Sequence, residues 1–379
     1  MVPLLLDTTL RDGEQTPGLY FTLEQKLQLA QRLDALGIPI LEAGIPTMGV
    51  SEVEFFKELS GLKLKSTILG WCRLSHEDLD WALKAQLEHI HISAPSSSVL
   101  LEAKLHKSRD QVIQEMTALV KDSLRLGFTV SVGAEDSSRS RPEDLRAFYG
   151  AAIDAGAHRV RFADTLGLMT PYKVMETIKP LTQFLGDIPL DYHGHNDFGL
   201  AAANSLSAWR AGARVLSCTL LGLGERAGNT PLEEIGAILQ LLEGVDLGLD
   251  FVALGELCTF IASLTGWGLP DHKPFYGANV FTHESGIHVD GLLKDSRTYE
   301  ALSPSIFGRS RRLVLGKHSG RAGVRYFARE KADLSDSEII QFLAHLRSLM
   351  SREIGVKALE ELEKWMLKRE GDHANTDTP

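Results

Sequence analysis

The sequence predicts an α/β protein, a closed (β/α)8 (TIM) barrel followed by a smaller, mainly helical region. Eight short apolar runs alternate with helical segments, which is typical of a parallel sheet. They occupy about 245 residues, close to the usual size of such a barrel. Polar residues collect directly after five of the runs, as expected at the mouth of a barrel. The alternative is an open, doubly wound sheet, but no Gly-x-Gly-x-x-Gly sequence opens the first helix.

The elements follow from the spacing of apolar residues along the chain. The expected strands are residues 3–6, 40–45, 66–72, 89–93, 129–133, 159–163, 188–192 and 215–220. The expected helices around them include residues 22–36, 142–155, 171–185 and 199–211, several of which begin at Ser, Thr or Pro. We therefore expect a catalytic barrel over residues 1–245. A helical region over residues 246–379 is expected to contribute to the active site and to dimer contact.

Composition excludes several classes of partner. The formal net charge of -10 and the pI near 5.7 argue against a nucleic-acid partner, because such proteins concentrate Lys and Arg on one face. Cys72, Cys218 and Cys258 are far apart and form no Cys-x-x-Cys pair, so they are expected to be reduced. Neither a signal peptide nor a membrane anchor is indicated, and a cytoplasmic protein with no membrane partner is expected.

His193 and His195 are one residue apart at the end of the seventh expected strand. Alternate positions on a strand point to one side, so both imidazoles can bind one metal ion. For the pair alone, the more ordinary interpretation is two hydrogen-bonded loop histidines. Further polar residues follow other strands, and the barrel brings those strand ends together. They are Arg11, Asp12, Gln15, Glu135, Thr165 and Asn229.

Asp12, His193, His195 and Asn229 make a mixed nitrogen and oxygen set that suits one divalent ion, with positions left for substrate. Mg, Mn, Zn, Co and Fe all accept such ligands. Taken singly, each residue has an ordinary alternative. Asp12 can cap a turn, Asn229 can belong to a glycine-rich loop, and Thr165 can cap the following helix.

Two segments carry a family resemblance. Leu10-Arg11-Asp12-Gly13-Glu14-Gln15, with Lys26 downstream, resembles the first signature of the metal-dependent barrels that carry out Claisen condensation of acyl-CoA. His193-Gly194-His195-Asn196-Asp197-Phe198-Gly199 resembles the second. This family includes 2-isopropylmalate, citramalate and homocitrate synthases, with hydroxymethylglutaryl-CoA lyase as a relative.

Two later segments narrow the resemblance, which spans at least residues 7–320. Residues 281–291 and 315–321 look most like homocitrate synthases of the type that serve the nitrogenase cofactor in nitrogen fixation. The region after the barrel does not fit the amino-acid-sensing domain of leucine-pathway synthases, so no feedback by leucine is expected. The resemblance implies an acyltransferase that condenses acetyl-CoA with 2-oxoglutarate.

The resemblance also implies roles for individual residues. Asp12, His193 and His195 would bind the metal, with Asn229 as a fourth ligand. Arg11 would offer a cation to the oxygen that becomes an alkoxide, while Thr165 and Gln15 would orient the substrate.

The implied base for acetyl-CoA is His288, with Tyr299 nearby and Glu135 supporting it. In the family the matching histidine reaches the partner subunit's site, which implies a homodimer. From the residues alone, the more ordinary interpretation of His288 is a hydrogen-bonded loop histidine, and Tyr299 can pack on the core.

Recognition of the distal carboxylate of 2-oxoglutarate is harder to predict. Arg73, after the third strand, is the best-placed cation, although it can equally be an exposed arginine. Lysine-pathway homocitrate synthases are expected to carry an arginine where this chain has Ser131. Asp191 stands at a position where homocitrate synthases often have Glu. It is expected either to contact a ligand histidine or only to pack against its neighbours.

Other activities remain open from the sequence. The family also allows 2-isopropylmalate or citramalate synthesis, or a lyase reaction that cleaves the related carbon–carbon bond. Outside enzymes, the chain can be an inactive relative that binds a metal or a metabolite as a regulator. The presence of all the expected site residues argues against that last interpretation.

Overall fold

A closed barrel of eight parallel strands forms the first part of the computed structural model, which describes residues 1–353 and 355–374. Each strand pairs with the next, and the last pairs with the first. The strands are β1 Leu4–Asp7, β2 Ile40–Gly44, β3 Thr67–Arg73, β4 His89–Pro95, β5 Thr129–Glu135, β6 Arg159–Asp164, β7 Leu190–Gly194 and β8 Val215–Cys218. The predicted (β/α)8 barrel is therefore confirmed.

Helices lie between and after the strands. The α-helices of this part are α1 Leu23–Ala35, α2 Val50–Gly61, α3 His76–Lys84, α4 Ser98–Leu100, α5 Arg109–Arg125, α6 Pro142–Asp154, α7 Pro171–Leu185, α8 Ala201–Arg210, α9 Leu232–Ala237 and α10 Phe251–Thr265. Short 3-10 turns are Gly13–Gln15, Pro46–Met48, Ser137–Arg139 and Leu220–Gly222, and π-helical turns are Leu101–Leu105 and Ile238–Leu242. Capping boxes at Thr22 and Ser108 explain where α1 and α5 begin.

Alternation along the strands separates an apolar layer from a polar interior. In β6, Val160 and Phe162 are fully buried, whereas Arg161 and Ala163 line a cavity inside the barrel. Successive strand residues point to opposite faces, so Val160 and Phe162 face the surrounding helices. The barrel thus keeps charged side chains inside, where a site can use them.

The chain divides into two compact units, Met1–Gly268 and Leu269–Pro379. Helix α10 belongs to the first unit, although the sequence analysis assigned it to the region after residue 245. Its buried residues Leu257 and Ile261 explain this placement, and the Arg32 guanidinium of α1 lies 4.2 Å from the centre of the Phe260 ring of α10. The helix therefore packs as part of the barrel layer.

The second unit is mainly helical, as expected. Two short parallel strands, β9 Thr282–His283 and β10 Arg312–Leu313, accompany the helices. The helices are α11 Gly286–Lys294, α12 Arg321–Ala328, α13 Asp336–Met350 and α14 Ala358–Ala374, with 3-10 turns at Ser296–Thr298 and Pro304–Phe307. Val324, Ile339, Phe342, Leu346 and Leu362 form its core. Across the described residues, no helix has the length and apolar character needed to cross a membrane.

Candidate active site

A tight turn after β1 positions the first two site residues. The backbone N–H groups of Arg11 and Asp12 both donate to the Thr8 carbonyl, at 3.1 and 2.8 Å. The Thr8 hydroxyl in turn donates to Glu42 in β2, at 3.0 Å. These bonds fix the turn at the carboxyl end of the barrel, so Arg11 and Asp12 are buried at its mouth.

The two histidines come from the end of β7. His193 is the fourth residue of that strand, and His195 lies one residue beyond it. The His195 N–H donates to the Asp164 carbonyl at the end of β6, at 3.3 Å. His195 also forms an isolated backbone bridge with Asn229. The ends of neighbouring strands therefore hold both histidines and Asn229 close together.

Asn229 sits in the glycine-rich loop after β8. Its side-chain Nδ2 donates to the Leu223 carbonyl at 2.9 Å, whereas its buried Oδ1 makes no hydrogen bond to any described residue. Gly224 has a positive φ of 153°, and a Cβ there would collide with the Asn229 amide. The loop thus fits closely around the Asn229 amide and leaves its Oδ1 without a hydrogen bond from the described residues.

Asp12, His193 and His195 fit a metal ion. The Nε2 atoms of His193 and His195 lie 3.2 and 3.8 Å from Oδ2 of Asp12. Two ligands bound at about 2.1 Å to one ion lie about 3 Å apart at a right angle and about 4 Å apart on opposite sides. Both distances fall in that range. Asn229, which forms a backbone bridge with His195, has a buried Oδ1 without a hydrogen bond to any described residue and is a further candidate oxygen ligand.

The electrostatics of this cluster suit a metal. Burial alone would raise the pKa of Asp12, but the charge of Arg11 and the adjacent His193 and His195 outweigh it and lower that pKa well below its usual range. Burial, and then the neighbouring His193, lower the pKa of His195 to about 4. An ionised carboxylate beside a neutral imidazole is the ligand state that divalent ions require.

Glu42 holds the guanidinium group of Arg11 in place through two hydrogen bonds. Nε and Nη2 of Arg11 donate to Oε2 of Glu42 at 2.9 and 2.6 Å, and Nη1 of Arg11 lies 3.3 Å from Oδ1 of Asp12. The guanidinium carbon is 5.7 Å from the centre of the Trp71 ring. Burial would raise the pKa of Glu42, but Arg11 and Arg161 lower it far below its usual value. Arg11 is therefore a fixed cation beside the proposed metal position.

One cavity of about 210 Å³ brings most of the expected site residues together. Those that line it are Arg11, Asp12, Gln15, Glu135, Thr165, His193 and His195. The Thr165 hydroxyl accepts from the Asp136 N–H at 2.9 Å, which leaves its own proton free to donate. Glu135 accepts from Lys104 at 3.0 and 3.1 Å. Gln15 is exposed at the rim.

Arg73 is not brought to this cavity. Its Nε and Nη2 bind the buried Asp78 carboxylate in the first turn of α3, with the shortest distance 2.7 Å. It lines an adjoining cavity with Lys104 and Lys107 instead. The strand end favours this local pair because Asp78 also accepts from the Arg73 backbone N–H.

Among the described residues, the hydrogen-bond partners of Asp191 are an arginine and a serine, and neither is a ligand histidine. Asp191 accepts from Nε of Arg161 at 2.7 Å and from the Ser217 hydroxyl at 2.8 Å. Of the two interpretations offered by the sequence, neither describes this role. Asp191 instead holds the charged side chain of Arg161.

Sequence reasoning missed three buried polar residues of the barrel interior, Glu42, His91 and Arg161. Arg161 and His91 line the cavity, and Glu42 lies behind it, bound to both Arg11 and Arg161. The sequence does contain a signal for Glu42 and Arg161. Each is a charged residue inside an otherwise apolar strand, and a buried charge needs a partner. The runs Ile40-Leu41-Glu42-Ala43-Gly44 and Arg159-Val160-Arg161-Phe162 both carry this signal.

In the second unit, His288 and Tyr299 lie together. Their ring centres are 4.2 Å apart, and both side chains are exposed. The interpretation that Tyr299 packs on the core is therefore wrong. Glu300 next to it accepts from Arg311 at 2.7 and 2.6 Å, which fixes the chain at this point.

Comparison with known proteins decides the family. A family model described as HMGL-like matches residues 3–261, and one described as Homocitrate synthase post-HMGL domain-like matches residues 275–354. The chain belongs to the HMGL-like family. The predicted family resemblance is thereby confirmed, and the two matches fall on the barrel and on the unit that follows it.

Curated relatives of this HMGL-like chain carry different names at the same identity. It is 42% identical to 2-isopropylmalate synthase 2 of Caldanaerobacter subterraneus, over 91% of this chain and 90% of the relative. It is also 42% identical to homocitrate synthase 1 of Nostoc, over 85% of each. Both are named as synthases, so enzyme status is supported for the family. Identity alone does not select a substrate.

Solved structures agree on the fold. The HMGL-like chain superimposes on the hydroxymethylglutaryl-CoA lyase of Pseudomonas aeruginosa with a TM-score of 0.63 and 19% identity. The match covers 70% of this chain and 93% of that chain. At this level of identity, the likeness supports the barrel and carries nothing about the reaction.

Proposed function

We propose that this HMGL-like protein is a homocitrate synthase, which condenses acetyl-CoA with 2-oxoglutarate and water to give homocitrate and CoA. The observation that carries the proposal is the cavity at the barrel mouth. It combines a set of metal ligands, Asp12, His193 and His195, with the buried cations Arg11 and Arg161. A 2-oxo acid with a second carboxylate requires both a Lewis acid and a further positive group.

In this proposal Asp12, His193, His195 and the Oδ1 of Asn229 hold one divalent ion. When bound, the ion supplies Lewis-acid polarisation of the keto group of the 2-oxo acid. The ligand set suits Mg, Mn, Zn, Co or Fe. The second substrate is acetyl-CoA.

Arg11 stabilises the charge that develops during carbon–carbon bond formation. Its Nε and Nη2 are bound to Glu42, so Nη1 is the group directed to the reacting side. A donor fixed before the reaction stabilises a developing alkoxide without reorganisation. The free hydroxyl proton of Thr165 and the amide of Gln15 orient the 2-oxo acid.

The acetyl group needs a base, and we assign this role to His288. It takes a methyl proton from acetyl-CoA, and the resulting carbon attacks the keto carbon, whose C–O π bond breaks. The keto oxygen then takes up one proton, in place of the one removed from the methyl group, and becomes a hydroxyl group. Water then cleaves the thioester and releases CoA. Tyr299 supports His288, and Glu135 assists from the barrel. The proposal includes a homodimer in which His288 serves the partner's barrel.

A free-thiol assay tests the activity. Purified protein is incubated with acetyl-CoA, one divalent ion at a time, and a panel of 2-oxo acids, and CoA release is measured. We expect 2-oxoglutarate to give the highest kcat/KM, with homocitrate identified by mass spectrometry. Preference for 2-oxoisovalerate or pyruvate would instead indicate isopropylmalate or citramalate synthesis. Absence of CoA release with every acid and metal would favour a binding protein without catalysis.

A further inference from the structure

Arg161 has one guanidinium nitrogen that the protein leaves unused. Its side chain is 3% exposed and lines the cavity. Nε donates to Asp191 at 2.7 Å, and Nη1 donates to Glu42 at 2.9 and 3.2 Å. Nη2 is also buried, but it makes no hydrogen bond to any described residue. Buried N–H groups are almost always paired, so this nitrogen indicates a partner from outside the chain.

The position of Arg161 along β6 sets its depth in the barrel. Ala163 pairs with His193, and Arg161 pairs with Asp191, two residues earlier on both strands. Two residues of a parallel strand span about 6.6 Å. Arg161 therefore lies about one layer deeper in the barrel than the ligand His193.

We propose that Nη2 of Arg161 binds the second carboxylate of a dicarboxylic 2-oxo acid whose keto end lies at Asp12, His193 and His195. This assignment rests on the proposed function and names the residue that selects its substrate. In 2-oxoglutarate, three carbon–carbon bonds separate the keto carbon from the distal carboxyl carbon. Extended, they cover about 4 Å. Together with a hydrogen bond of about 2.9 Å, this length matches the spacing of about 6.6 Å between the layers of His193 and Arg161.

The inner wall offers polar groups as well as apolar ones. Besides Arg161 it presents His91, Ser93 and Trp71, and Gly133 leaves room that the His91 ring occupies. An isopropyl group here would leave Nη2 of Arg161 without a partner. Burial lowers the pKa of His91 well below its usual value, so His91 adds no positive charge. The free charge-assisted donor at this depth is the guanidinium.

The surroundings hold Arg161 in one position. Asp191 is itself fixed by the Ser217 hydroxyl at 2.8 Å, and Glu42 is fixed by Arg11 at 2.6 Å. The backbone carbonyl of Arg161 accepts from the Tyr149 hydroxyl at 2.9 Å. A donor held in this way binds a carboxylate with little loss of freedom. The same network means that removal of Arg161 takes a cation away from two buried carboxylates, Asp191 and Glu42.

The first experiment therefore leaves the protein unchanged. Binding of 2-oxoglutarate and of 5-methyl-2-oxohexanoate to the metal-supplemented wild-type protein is measured by calorimetry without acetyl-CoA. The second acid has the same number of non-hydrogen atoms, with an isopropyl group in place of the distal carboxylate. We expect 2-oxoglutarate to bind at least about 10-fold more tightly, as a charge-assisted hydrogen bond requires. Equal affinities would overturn the assignment.

The second experiment uses Arg161→Lys, which keeps the positive charge but loses the planar guanidinium group with its several N–H donors. We expect KM for 2-oxoglutarate to rise by about 10-fold to 100-fold, with KM for pyruvate within about 3-fold of wild type. Arg159→Lys is the matched control, because Arg159 is also buried in β6 but is not among the cavity-lining residues. Equal changes in both variants would indicate general disruption and would contradict the assignment. If Arg161→Lys does not fold, the calorimetric comparison decides.

Different results would overturn the proposed function and the role of Arg161. A protein that forms homocitrate but binds the acid and its isopropyl analogue equally keeps the proposed function and loses the role of Arg161. A protein that prefers 2-oxoglutarate in calorimetry but releases no CoA keeps the role of Arg161 and loses the proposed function.

Discussion

The Nε2 atom of His193 lies 3.2 Å from Oδ2 of Asp12, which joins the end of β7 to the turn after β1. His195 Nε2 lies 3.8 Å from the same oxygen. All three side chains are buried. Because the three side chains converge on one point, the loss of any one of them should weaken metal binding.

His195→Ala should abolish tight metal binding while the barrel still folds. Loss of a residue that only supports a ligand already costs about 10-fold to 100-fold in metal affinity, so loss of the ligand itself should cost more than about 100-fold. Mn²⁺ binding by calorimetry and circular dichroism measure the two effects. His76→Ala is the control, because His76 is exposed and pairs only with Asp122 among the contacts described. Unchanged metal affinity in His195→Ala would refute the ligand assignment.

Arg11→Gln should lower kcat more than it weakens binding of the 2-oxo acid. The variant loses a fixed cation beside the developing alkoxide, and loss of one such donor typically costs about 100-fold to 1,000-fold in kcat. Steady-state kinetics and calorimetry without acetyl-CoA separate the two quantities. A rise in the dissociation constant that accounts for the whole loss would indicate a binding role only.

Arg73→Ala should leave KM for the 2-oxo acid within about 2-fold of wild type. The reason is that Arg73 pairs with Asp78 outside the cavity, and surface substitutions of this kind have small effects. Kinetics with 2-oxoglutarate measure it. A large increase in KM would restore the sequence-based assignment of Arg73 to the substrate.

The outcome for Arg73 illustrates what the sequence can and cannot predict. Residues that follow a strand, such as Asp12, Thr165 and His195, break an apolar run with polar chemistry, so the sequence indicates them directly. The barrel topology then brings them together without further information. Whether Arg73 turns into the barrel or toward Asp78 depends on a local choice of partner, which the strand pattern does not contain.

Arg161 and Glu42 are hard to predict as site residues for a different reason. They lie inside buried strands, where the apolar pattern predicts packing and each charge looks like an exception. Their role appears only when the closed barrel directs side chains of β2, β6 and β7 into one interior, because Arg161 takes Glu42 and Asp191 as partners from two other strands. The sequence therefore predicts the site residues that follow the strands much better than those that lie within the strands.

Co-expression of His195→Ala with His288→Ala tests the proposed homodimer. If His288 serves the partner's barrel, a mixed dimer keeps one complete site, although each variant alone is inactive. Random pairing of two chains gives about half mixed dimers and therefore about one quarter of wild-type activity. CoA release by the unsorted co-expressed mixture measures this, and mixed dimers isolated through two different tags should reach about one half of wild-type activity. A mixed dimer with no activity would place His288 in the site of its own chain or remove it from catalysis.

Asp7 should make the stability of the protein depend on pH. Burial raises the pKa of Asp7 from an ordinary value of 3.8 to about 7, against the lowering effect of its hydrogen bonds from Thr9. Between these values the folded state keeps a proton that the unfolded chain has lost. The free energy of unfolding should therefore fall as pH rises through this interval, by up to about 1.4 kcal/mol per pH unit from this group.

Asp7→Asn should remove that contribution and flatten the profile between pH 5 and pH 7, because the amide does not titrate. Urea unfolding of metal-free protein at several pH values measures the slope for both proteins. Asp110→Asn is the control, since Asp110 is exposed at the start of α5 and should keep the wild-type slope. If Asp7→Asn retained the wild-type slope, the pH dependence would have to come from other groups. The difference in slope between the two variants therefore isolates the cost of ionising one buried carboxyl group beneath the site.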